Sequence, residues 1–197
     1  MIIIGLCGGS GSGKGVVAEL FASHGIPSVD ADAVYRDLIY AGSPLLNRIK
    51  DAFGESVLLR DGSLDRKTLS SIVFSNKEKL MLLNKITHSA IIKEAEIRFS
   101  QYKKLGYSAI IFDAPQLFES GFNKKCDIII AVTAPIDLRI ERLIKRDNKS
   151  KASILERLDA QLPDEFLISN SDYILENKGD IKSLSDEIDK LVKIILK

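Results

Sequence analysis

One short run constrains this chain more than any other. Gly8-Gly9-Ser10-Gly11-Ser12-Gly13-Lys14 stands between an apolar β-branched stretch at 1–6 and an amphipathic segment that begins at Lys14. The spacing is G-x-x-x-x-G-K, the pattern of a phosphate-binding loop. Glycines let consecutive backbone N–H groups turn inward around phosphate oxygens, and a helix N-terminus with a lysine adds positive charge. The bland alternative is a glycine-rich surface turn, but a strand just before and a helix just after argue for the cradle. Gly8, Gly9, Ser10, Gly11, Ser12, Gly13, Lys14, Gly15 and Val16 are therefore candidate nucleotide-binding residues. After the lysine such loops carry Ser or Thr, whose hydroxyl reaches a magnesium ion. Here that position is Gly15, which weakens the metal site and leaves the phosphate cradle intact.

The rest of the composition narrows the partners. With 197 residues, 45% of them hydrophobic and 28% charged, the chain can bury one core and has none of the polar bias of disorder. A net charge of +1 supplies no field for a nucleic-acid backbone or an anionic membrane, so anion binding must be local. Cys7 and Cys126 lie far apart in apolar runs, which fits neither a disulfide framework nor a zinc site and points to a reducing, cytoplasmic setting. No basic leader opens the chain and no apolar stretch approaches the roughly 18 residues of a membrane span. Composition says nothing of oligomeric state.

Along the chain, short β-branched runs alternate with longer amphipathic segments, the pattern of a parallel sheet covered by helices. Strands are expected at 1–6, 27–30, 107–113, 127–132 and 172–175. Helices are expected at 14–23, 31–40, 44–53, 64–74, 76–105, 136–146, 152–161 and 181–196. Ser75 with Glu78 has capping-box spacing, and the long segment invites a break near Thr87-His88-Ser89. The fold class is α/β: a doubly wound, parallel, five-stranded sheet. One domain is expected, with a nucleotide-binding core at 1–34, 107–138 and 162–197. The interval 35–106 is too long for a single crossover and is expected to build a helical substrate lobe. The basic stretch 139–161 is expected to be a lid.

Three further groups carry chemistry. Asp30-Ala31-Asp32 closes the second strand, where carboxylates face the ligand crevice of a parallel sheet. Asp30 reads well as a helix N-cap, which leaves Asp32 as the better candidate for a base. Asp113 ends the third strand, a placement that suits either a magnesium ligand or a turn cap. Arg139, Arg142 and Arg146 share one helix face, either solvated or closing over a triphosphate. His24 reads as a C-terminal dipole partner and His88 as an ordinary helix histidine that could touch an anionic substrate.

Together these residues resemble the dephospho-coenzyme A kinase family over essentially the full length. The resemblance is carried by 4–14, Val29-Asp30-Ala31-Asp32, Phe53-Gly54, Asp61-Gly62-Ser63-Leu64-Asp65-Arg66, Leu83-Asn84-Lys85-Ile86-Thr87-His88 and Pro115-Gln116-Leu117-Phe118-Glu119. Arg142, Arg146, Gln161, Asn177 and Gly179 complete it. It implies a phosphate-loop kinase with core, lobe and lid, moving the γ-phosphate of ATP to the ribose 3′-hydroxyl of dephospho-CoA with Mg2+. By this resemblance Asp32 is the base and Lys14 the phosphate ligand. Arg142 and Arg146 belong to the lid, Asn177 touches the nucleotide, and Arg66, Asn84 and His88 line the substrate lobe. Asp32 and Asp113 are the candidate metal ligands. Gly15, Ser89 and Gln116 depart from the family pattern, and Gly15 alone touches the chemistry directly.

Two rivals remain. Another small-metabolite kinase, acting on a nucleoside or nucleotide, would share the fold. A GTPase switch is suggested by Asn177-Lys178-Gly179-Asp180, which has the N-x-x-D form of a guanine-reading loop, but Asp113 is followed by Ala114-Pro115-Gln116 where a switch needs Asp-x-x-Gly.

Overall fold

The computed structural model describes all 197 residues. The chain runs β1 (Ile2–Cys7), α1 (Lys14–Ser23), β2 (Ser28–Asp30), α2 (Ala31–Leu38), α3 (Pro44–Phe53), α4 (Arg66–Phe74), α5 (Lys77–Lys104) and β3 (Ala109–Asp113). It continues β4 (Ile128–Thr133), α6 (Ile136–Asp147), α7 (Lys151–Asp159), α8 (Asp164–Ser169), β5 (Tyr173–Glu176) and α9 (Ile181–Ile195). The strands form one five-stranded sheet in the order β2-β3-β1-β4-β5, with β1 parallel to both β3 and β4 and β4 parallel to β5. Chain order reverses on either side of β1, so the crevice for a ligand opens at its carboxyl end. Register sets the neighbours there, with Leu6 opposite Asp113 and Cys7 opposite Ala131.

Each strand is held by what its residues bury. Ile4, Leu6, Ile111, Ile130 and Val132 present one face of the sheet to Val17 and Phe21 of α1 and to Leu184, Ile188 and Leu191 of α9. Phe21 and Ile188 are fully enclosed, each worth about 1.5–3 kcal/mol of transfer energy. On the opposite face Phe112 packs against Phe122 with ring centroids 4.4 Å apart. A Cβ on Gly5 would lie 2.8 Å from both Cys126 Sγ and Leu117 Cδ2, so glycine is what lets those side chains reach the strand.

The chain divides into two compact units, Met1–Val29 with Gln101–Lys197, and Asp30–Ser100. The second unit has its own core of Leu45, Ile49, Val57, Leu69, Val73 and Ile86. Its helices start where the sequence supplies caps. Ser43 accepts from Leu46 N with Pro44 at the first turn, and Asp65 accepts from both Lys67 N and Thr68 N.

The long helix differs from expectation in two ways. It is continuous from Lys77 to Lys104, and the hydroxyls that suggested a break bond back within it, Thr87 Oγ1 donating to Leu83 O at 2.9 Å and Ser89 Oγ to Ile86 O at 3.0 Å. Its start is capped by Asn76, whose Oδ1 accepts from Lys79 N at 3.0 Å, while Ser75 Oγ donates back to Ser71 O. The short α8 behind Pro163 was not expected at all. No helix is long and apolar enough to cross a membrane.

Candidate active site

The loop 8–13 leaves β1 at the sheet's switch point and feeds α1 through Gly13, whose φ of 97° is open to glycine and strained for other residues. Val17 N makes the first bond into the helix, to Gly13 O. The N–H groups of Gly11, Gly13, Gly15 and Val16 take no partner within the chain. They are the unspent donors of a loop and a helix start, which is what an anion needs. Lys14 Nζ folds back to Gly8 O at 2.9 Å, holding its charge over the same loop.

Four side chains from distant elements grip the outside of this loop. Asn177, just after β5 and only 6% exposed, donates through Nδ2 to Ser12 O at 2.9 Å. Its Oδ1 accepts from Arg142 NH2 at 3.0 Å, while Arg142 NH1 donates to Gly11 O at 3.1 Å. Gln161 holds Ser10 twice, accepting from its N at 2.9 Å and donating to its Oγ at 3.0 Å. Arg139 donates through Nε to Ser10 O at 2.9 Å and through NH1 to both carboxylate oxygens of Asp164 at 3.0 Å.

These grips explain the glycines. A Cβ on Gly9 would strike the Arg139 guanidinium, one on Gly11 would sit 2.8 Å from Arg139 O, and one on Gly13 would strike the Asn177 amide. One on Gly8 would strike Val132 O. Gly15 differs, because a Cβ there meets nothing within 4 Å. Ser12 is 1% exposed and its hydroxyl has no hydrogen-bond partner, a further polar group set into the loop.

The other expected residues fall as follows. Asp113 ends β3 beside Leu6, one residue short of the loop's strand end. Arg146 does not join Arg139 and Arg142 on the loop; it donates to Asp147 at 2.7 Å, and Arg157 donates to the same carboxylate at 2.9 Å. That double pairing holds Asp147 below the ordinary carboxylate range, the Arg146 hydrogen bond being the larger cause. In the second unit Asp30 caps α2, accepting from Asp32 N at 2.8 Å, with Arg36 3.8 Å away. The exposed Asp32 carboxylate makes no bond within the chain. Of the two acids, only Asp32 has a carboxylate with no bond inside the chain. Arg66 lies 5.6 Å over the Tyr35 ring, and Asn84 and His88 sit one turn apart on α5, both half-buried.

One alternative loses support on the same geometry. Asn177 spends its amide on the loop and on Arg142, and Asp180 caps α9 by accepting from Lys182 N, so the N-x-x-D run reads no base. Burial pushes the Cys7 thiol up and Cys126 up to about 12, so neither is a ready nucleophile.

The struts were the part that sequence reasoning missed. In the sequence Arg139 is only one member of a charged face, Gln161 only part of a resemblance, and Asp164 stands in no motif. No local signal marks them, since each acts across more than 20 residues of chain.

Comparison with known proteins gives a consistent picture. The family model described as dephospho-CoA kinase matches residues 2–183. The dephospho-CoA kinase of Corynebacterium glutamicum is 37% identical over 196 residues, 100% of this chain and 98% of that protein. Among solved structures, a Thermus thermophilus protein aligns with a TM-score of 0.82 at 30% identity, covering 98% of this chain and 96% of that one. A dephospho-CoA kinase from Campylobacter jejuni aligns with a TM-score of 0.69 at 26% identity, over 98% and 96% of the two chains.

Proposed function

Because the chain belongs to the dephospho-CoA kinase family, we propose that its braced loop holds the phosphates of ATP while Asp32 orients the acceptor hydroxyl. The chain is an ATP-dependent phosphotransferase acting on an alcohol group, and its reaction converts dephospho-CoA to coenzyme A by phosphorylating the ribose 3′-hydroxyl. The observation that carries the site assignment is the row of unspent N–H donors at Gly11, Gly13, Gly15 and Val16, with Lys14 folded over the loop. Phosphoryl transfer asks the protein mostly for positioning and charge neutralisation, and this loop supplies both.

In this mechanism the loop N–H groups and Lys14 Nζ receive the β- and γ-phosphoryl oxygens, the lysine exchanging its bond to Gly8 O for one to phosphate. Asp32 accepts the proton of the attacking hydroxyl through a carboxylate that no internal bond competes for. Arg142 keeps the loop's carbonyls turned outward. Arg146 reaches the transferring group by leaving Asp147. Arg66, Asn84 and His88 bind the acceptor, Arg66 as the fixed cation for a phosphate.

Magnesium suits the donor set. No three His, Cys, Asp or Glu side chains gather into a self-sufficient metal site. Magnesium asks for no such cage, because it keeps several waters and takes one or two carboxylates beside substrate phosphates. Asp113 beside the loop and Asp32 are the carboxylates offered, and the open space at Gly15 leaves room for water where relatives of the loop place a hydroxyl. When bound, the ion neutralises charge on the β- and γ-phosphoryl oxygens. The chain works in the cytoplasm on two small molecules, without nucleic acid or membrane.

The test is ATP consumption with dephospho-CoA as acceptor, beside a panel of nucleosides and nucleotides, and with GTP in place of ATP. Coenzyme A formed from dephospho-CoA and ATP is the expected result. Equal or better turnover of a nucleoside acceptor would move the chain to a different kinase specificity.

A further inference from the structure

Arg139 is a charged side chain that the fold has buried, only 7% of it accessible, in a chain whose other arginines are more open. Burying a guanidinium is costly unless its donors are matched, and an ion pair in such a place is rarely a net gain in stability over apolar packing. The position of the group shows where the cost is recovered. Nε fixes Ser10 O and NH1 lies on both oxygens of Asp164, while the guanidinium plane covers Gly9 so closely that no Cβ fits. Arg139's own carbonyl then closes against Gly11. Gln161 takes the remaining polar atoms of Ser10, its N and its Oγ. All three polar atoms of Ser10 are thus held from outside, and residues 9–11 cannot rotate without breaking a charge-assisted bond.

We propose that the Arg139–Asp164 pair is a positioning device for the phosphoryl donor: it fixes the 9–11 backbone in its phosphate-accepting form before ATP binds, acting through Ser10 and not by touching substrate. A loop rich in glycine pays heavily to be ordered on binding, and a loop ordered in advance does not. Asp164 sets the guanidinium's orientation through NH1 while Nε of the same rigid plane holds Ser10 O, a fixed pair of directions that a lysine's single ammonium does not present. The proposal rests on the loop being the ATP site.

The experiment compares Arg139→Gln, Arg139→Lys and the double variant Arg139→Gln/Asp164→Asn with the wild-type chain. It measures binding of a non-hydrolysable ATP analogue, KM for ATP and for dephospho-CoA, and thermal midpoint. The double variant removes both charges together, so it avoids leaving one buried and unpaired and remains foldable if a single variant is not. Expected is a loss of analogue affinity of about tenfold in the double variant. KM for ATP rises alike, KM for dephospho-CoA stays unchanged, and Arg139→Lys fails to restore affinity. A double variant that binds the analogue as tightly as wild type, or one that loses both substrates equally in step with its thermal midpoint, would overturn the positioning role. A wild-type chain that does not bind the analogue would instead overturn the assignment of the loop itself, so the two failures are distinguishable.

Discussion

Around the loop 8–13 the chain spends its polar side chains on its own backbone, whereas in Asp30–Ser100 the charges expected to meet the acceptor carry few internal bonds. Asn177, Arg142, Gln161 and Arg139 all bind loop atoms. The Asp32 carboxylate binds nothing within the chain, and Arg66 is exposed with one aromatic contact. The difference follows from what each region must hold. A triphosphate is met by backbone N–H groups, whose direction has to be set by scaffolding. An acceptor hydroxyl is met by a side chain, whose free carboxylate is the working part. The braced region should fail when its scaffold is removed and the open one when its chemistry is removed.

The largest expected effect tests the open side. Asp32→Asn keeps the helix start, because the cap is Asp30, and removes only the proton acceptor. Turnover should fall by ~10² to 10⁴ while ATP-analogue affinity stays near wild type. Asp30→Asn, which keeps a capping oxygen, should cost far less. If both variants lose turnover equally, Asp32 has no special role and the contrast between the two acids is wrong.

Next comes the braced side. Gly13→Ala meets two obstacles, a left-handed φ of 97° and the Asn177 amide in the space a Cβ needs. Strain of ~1–3 kcal/mol in the loop corresponds to roughly a fivefold to hundredfold loss of nucleotide affinity. Calorimetry with the analogue measures it, and an unchanged affinity would mean that the loop relaxes freely and is not braced.

These regions were also unequally legible in the sequence. The strand–loop–helix around Lys14 was readable because its signals are local: β-branched residues, then glycines, then an amphipathic period. The sheet followed from alternation of such segments. The reason for each glycine was not readable, since Arg139, Gln161 and Asn177 reach it from 129 to 165 residues away. On the helical side, Thr87 and Ser89 suggested a break because hydroxyls compete for backbone bonds, and here they compete in place, bonding back to the helix that contains them.

A smaller effect separates the two arginines that sequence placed together. Arg146 is held by Asp147, whose folded pKa lies below its ordinary value of 3.8. That contribution to stability is complete above 3.8 and is lost as pH falls through the lower folded value. Asp147→Asn should therefore lower the melting midpoint slightly at neutral pH and leave variant and wild type closer together in strong acid. Arg146→Ala should lower kcat, while Asp147→Asn, which only frees the arginine, should not. Equal kcat losses would make the pair a helix-junction tie and nothing more.

The smallest effect belongs to Gly15, the one glycine near the loop that no neighbour requires. It lies in the first turn of α1 with open space around it, so a serine side chain enters without displacing anything. Replacing glycine inside a helix adds up to about 1 kcal/mol of stability. In the first turn, where N–H groups remain free for phosphate, the gain should be less, and the melting midpoint of the nucleotide-free chain reads it alone. A hydroxyl at this position would also offer an oxygen to magnesium in place of a water. Because magnesium tolerates water in its shell, the wild-type chain should be active but need more of the ion than Gly15→Ser does. Measuring the magnesium dependence of ATP-analogue binding separates the two effects, since the backbone gain raises the midpoint without the metal and the ligand gain shifts only the metal titration. A raised midpoint with an unchanged magnesium curve would place Gly15 outside the metal shell and leave Asp32 and Asp113 as the protein's whole contribution to it.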